Sequence, residues 1–104
     1  MAAIMGKKGM SVKLDKQRTL RYGINAIITL EESLGCKITE FDLEKMSFKQ
    51  LRDIIHAGLL HEDKELTPEV VGDLIDTYSS IEEIAEKMSY AFDLAFGPQK
   101  LKNK

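Results

Sequence analysis

The chain has 104 residues, enough for one domain and one modest core but not for a two-domain cleft enzyme. With 43% apolar and 31% charged residues it is neither disordered nor membrane-spanning in composition. Its net charge of −2 hides a division: +5 over residues 1–22, −10 over residues 23–97 and +3 beyond Gly97, an acidic body unlike the coherent basic face of a duplex-DNA reader.

Residues 1–9 read as a lead-in, residues 10–97 as the folded body and residues 98–104 as a basic tail, all within a single domain 1–104. Val12 and Leu14, then Leu20 and Tyr22 beyond a polar Asp15-Lys16-Gln17 turn, alternate apolar with charged residues at period two. That pattern predicts a β-hairpin with one buried face. From about Tyr22 the period becomes helical. Ile24, Ile27, Ile28, Leu30 and Leu34 fall on one broad arc, and Gly35 closes the helix in the position that needs left-handed backbone.

After a loop through Ile38, Phe41 and Leu43, Ser47 and Gln50 form a capping box. It opens a second helix with Phe48, Leu51, Ile54, Ile55 and Leu59 inward. His61-Glu-Asp-Lys-Glu65 reads as an exposed turn. Thr67 at the N-cap and Pro68 behind it start a third helix, with Val70, Val71, Leu74, Ile75 and Tyr78 inward. Ser80 and Glu83 make another capping box before the longest helix, which is predicted to end at Gly97-Pro98. Its inward face holds Ile81, Ile84, Ala85, Met88, Ala91, Phe92, Ala95 and Phe96. The expected fold is mostly α (α+β): four helices with a short N-terminal hairpin.

Chemistry is hard to place on this pattern. The lone Cys36 excludes an intramolecular disulfide and a cysteine cluster, and suits a reducing compartment. The first residues hold no apolar stretch of the roughly 7–15 residues that a signal peptide needs. His56 and His61 lack zinc-protease spacing, and His56 reads as a boundary histidine with a hydrogen-bond partner. The Glu62–Glu65 run lacks calcium-loop spacing, no glycine-rich phosphate loop occurs, and Gly72-Asp73-Leu74 has no hydroxyl for an acyl carrier. No catalytic residue, metal or cofactor is expected.

Two features point outward. Glu31 projects from the apolar arc of the first helix; it either swings to the helix edge or pairs with a base such as Arg52, or else it accepts a hydrogen bond from a partner chain. Tyr90 and Leu94 sit at i and i+4 away from the main stripe of the long helix. Either the same fold covers them or they form a patch that a partner covers.

Taken in order, Thr19-Leu-Arg-Tyr22, Ile24-Asn-Ala-Ile27 and Leu30-Glu-Glu-Ser-Leu34-Gly35 resemble the opening of tail assembly chaperones of tailed phages, especially the group shared with gene-transfer-agent clusters. Leu51-Arg-Asp-Ile-Ile-His-Ala-Gly-Leu59, Leu66-Thr-Pro-Glu-Val70, Gly72-Asp-Leu-Ile75 and the terminal Ala91-Phe92…Ala95-Phe-Gly97 continue the pattern over residues 12–97, while Met1–Met10 has no counterpart. The resemblance implies a non-enzymatic, oligomeric factor of the host cytoplasm. It would bind the tape measure protein, and in some cases the tail tube protein, and stay out of the finished virion. Tyr90, Leu94 and Glu31 are the candidate partner contacts. The competing readings are a helix-turn-helix regulator built on the second and third helices, and a tail-completion or connector protein. Against the regulator stand Glu69, Asp73 and Asp76 on the exposed side of the third helix, which would meet phosphates with like charge.

Overall fold

The structure, a computed structural model, describes residues 9–96. The lead-in before Gly9, the Gly97-Pro98 stop and the basic tail lie outside the described residues. Strands β1 (Gly9–Lys13) and β2 (Gln17–Arg21) pair antiparallel in the register Met10 opposite Leu20 and Val12 opposite Arg18. Four helices follow: α1 (Ile24–Leu34), α2 (Phe48–Leu59), α3 (Pro68–Tyr78) and α4 (Ile81–Phe96). Two single 3₁₀ turns, Ile38–Glu40 and Leu43–Lys45, carry the chain from α1 to α2. The expected α+β architecture is the one observed.

Local signals fix the element ends. Gly35 has φ 75°, and its N–H donates to the Glu31 carbonyl. Ser47 accepts from the Gln50 N–H at 3.1 Å while Gln50 accepts from the Ser47 N–H at 2.8 Å, a complete capping box. Thr67 Oγ1 accepts from the Val70 N–H at 3.2 Å, and Ser80 Oγ accepts from the Glu83 N–H at 3.1 Å.

The hairpin lies on α4 and α2, α1 packs on α2, and α3 joins α2 to the start of α4. Val12, Leu14, Leu20 and Tyr22 meet Leu51, Ile54, Ile55, Ile84, Met88 and Phe92 in one core. Tyr22 anchors this junction. Its hydroxyl donates to the Ile54 carbonyl at 2.8 Å, and its ring stands edge-on to Phe92 with centroids 4.5 Å apart. Gly58 makes room for it, because a Cβ there would sit 2.6 Å from Tyr22 Cζ.

Six apolar side chains expected inside are exposed. On α1 the inward arc is centred on Leu30, flanked by Ala26, Ile27 and Leu34. Ile24, at 75% exposure, and Ile28 are therefore rotated off it. The small Ala26 takes a core-facing position that counting large residues assigns elsewhere, and this shifts the helix by part of a turn. Phe48 is 74% exposed because it is the first residue of α2, ahead of the part that other helices cover. Val70 and Tyr78 flank the buried pair Val71 and Ile75, where α3 has neighbours on one side only. Ile81, the first residue of α4, is likewise on the surface, as an exposed position rather than part of the inward face.

Candidate interaction surface

Tyr90 and Leu94 emerge on the face of α4 opposite Met88 and Phe92, and are 51% and 44% exposed. Of the two arrangements open to them, the structure shows the uncovered one. Glu83 and Glu86 are exposed and Lys87 is half-buried on the same side, so an apolar strip runs between charges.

Glu31 is engaged inside its own chain. Its Oε2 accepts from the Ile38 N–H at 3.0 Å, tying the end of α1 to the first 3₁₀ turn. The pairing with Arg52 does not form, because Arg52 donates to Asp53 Oδ1 at 3.3 Å. Asp53 also accepts from Lys49 at 2.8 Å, which satisfies a buried carboxylate twice.

His56 is half-buried, with Nε2 at 2.9 Å from the Leu66 carbonyl, as expected of a boundary histidine. Its partner holds the start of α3 against α2. The 61–65 turn does more than its polarity suggests. His61 Nε2 lies 2.7 Å from the Thr19 carbonyl, and Glu62 Oε1 accepts from the Thr19 N–H at 3.2 Å. Arg18 reaches the same turn from the inner side of β2. It is only 4% exposed, bonds both oxygens of Asp15 at 2.8 and 3.0 Å, and lies 3.9 Å from Asp63. These hydrogen bonds hold the Asp15 carboxyl below its ordinary range.

Two recesses open beside these elements. One, of about 520 Å³, runs between the start of α1 and the 61–65 turn, with Ile24, Asn25 and Thr29 on one wall and Arg21, His61 and Lys64 on the other. The second, of about 420 Å³, is a groove between α2 and α3 closed by the first turn of α4. Leu51 and Ile75 form its floor, Phe48 and Ile81 project at its sides, and Glu69, Asp73 and Asp76 line the α3 bank. The acidic row was legible in the sequence. Phe48 and Ile81 as its neighbours were not, because they come from separate helix starts.

Among the described residues no group of three or more His, Cys, Asp or Glu side chains gathers as a metal cage. No helix among them is long and apolar enough to cross a membrane. Comparison with protein-family models, with curated proteins and with solved structures gives no match.

Proposed function

We propose that this chain is a tail assembly chaperone of the phage and gene-transfer-agent type, which holds the tape measure protein soluble while the tail is built. The tail tube protein is a second client, and the chaperone works in the host cytoplasm as an oligomer and is left behind by the virion. The observation that supports this reading is the strip at Tyr90 and Leu94. A chaperone for apolar helices needs apolar side chains beyond those its own core uses, and these two are spare. The regulator reading is weaker, since the exposed face of α3 carries Glu69, Asp73 and Asp76.

The test is Tyr90→Ser with Leu94→Ser, made in a strain that co-expresses the tape measure protein. The double variant is expected to keep the helical circular dichroism of the parent while the tape measure protein moves to the insoluble fraction or the light-scattering mass falls. A folded variant with unchanged mass and unchanged solubilisation overturns the assignment of the strip.

A further inference from the structure

The groove between α2 and α3, closed by the first turn of α4, has neither Tyr90 nor Leu94 in its lining and does not depend on the phage-tail reading. We propose that it is a docking site for an amphipathic helix with one apolar face and flanking lysines or arginines. The apolar half of the argument is Phe48, 74% exposed, and Ile81, 42% exposed, standing over a floor of Leu51 and Ile75. An aromatic ring left in water at the mouth of an apolar groove is the feature that binding would bury to most effect.

The charged half selects the partner. Glu69, Asp73 and Asp76 are spaced i, i+4 and i+7, so they form one row along the α3 bank. All three are exposed, and none makes an ion pair among the described residues. Arg52, the one base in the lining among the described residues, is turned to Asp53 and does not compensate the row. Three carboxylates about one helical turn apart along one face repel each other, and a ligand bringing two or three cations relieves that repulsion while its apolar face covers Phe48 and Ile81. A volume of about 420 Å³ suits a few apolar side chains of one helix face rather than a whole domain. An acidic or purely apolar helix would leave half of this surface unmatched.

The probe is a synthetic amphipathic helix of about five turns with Leu on one face and Lys on the other, alongside a version with Glu in place of Lys. Titrations by fluorescence anisotropy would use the full chain. The Leu/Lys helix is expected to bind one to one and to weaken as salt rises, with the Leu/Glu helix at least about tenfold weaker. Phe48→Ser, and separately Asp73→Lys with Asp76→Lys, should each lose about tenfold or more, while Glu32→Lys with Glu40→Lys, the same charge change on exposed residues elsewhere, stays within about twofold. Asp73→Asn with Asp76→Asn repeats the test should the reversal disturb the fold. Equal losses in the two reversal pairs would mean attraction to the acidic body alone and would overturn the site. Loss of peptide binding in Tyr90→Ser with Leu94→Ser, with Phe48→Ser unaffected, would move docking to α4. A dimer of the unmodified chain that Phe48→Ser converts to monomer would make the occupant a second copy and overturn the basic-helix proposal. The co-expression result for Tyr90 and Leu94 bears on none of these outcomes.

Discussion

A single methyl group at Gly58 would strike the ring that joins the hairpin to the helices. The new Cβ would lie 2.6 Å from Tyr22 Cζ, 2.7 Å from its hydroxyl and 3.0 Å from Leu20 Cδ2, and all of these atoms are packed. Alanine gains about 1 kcal/mol of helix propensity over glycine. Overpacking of this kind costs about 1–3 kcal/mol, so Gly58→Ala should be destabilising on balance in urea titration. The same ring sets an alkaline limit. Burial pushes the Tyr22 phenol well above its ordinary value, so the unfolded chain ionises first and stability falls as pH rises past about 10. Tyr22→Phe should remove that loss while giving up the bond to Ile54. At the acid end the sign reverses. The bonds from Arg18 depress Asp15, so the stability of that pair is full above about pH 4 and is lost as pH falls through the lowered folded value. Asp15→Asn should flatten that acid limb in thermal unfolding scans from pH 5 downward.

At the scale of the element, α4 and α1 make opposite cases. Phe92 is fully buried on α4 between Tyr22 and Phe96, with ring centroids 4.5 and 5.6 Å away. Phe92→Ala is expected to cost about 3–5 kcal/mol by chemical denaturation, a large fraction of the stability of so small a domain. Ile24→Ser with Ile28→Ser, on the open side of α1, should cost less than about 1 kcal/mol by the same measurement. A sequence reading that counts only large apolar residues would expect the reverse on α1. Caps were legible because Ser47, Thr67 and Gly35 act on neighbours within four residues, and the hairpin because its period is short. The phase of α1 was not, since Ala26 and the two isoleucines differ in burial only through what α2 places beside them. Arg18 is the complementary case. It falls on the inward face of β2 with Leu20, and it is the carboxylates of Asp15 and Asp63 beside it, which alternation alone does not reveal, that let a base be buried there.

For the whole molecule, the large apolar side chains left outside among the described residues fall into separate places: Tyr90 and Leu94 on α4, Phe48 and Ile81 at the groove, Val70 and Tyr78 on α3, Ile28 on α1 and Ile24 in the wall of the recess beside Arg21, His61 and Lys64. The candidate strip was readable as two residues at helical spacing. The groove needed tertiary structure, since Phe48 and Ile81 are 33 positions apart in the chain. A two-stranded hairpin also has a free edge, and here both backbone polar groups of Thr19 are already bound by His61 and Glu62. The 61–65 turn therefore works as a stopper against further strand pairing along β2. His61→Ala with Glu62→Ala would reopen that edge. The variant should stay folded by circular dichroism, yet gather into β-rich assemblies on concentration, read by thioflavin fluorescence, where the parent chain does not.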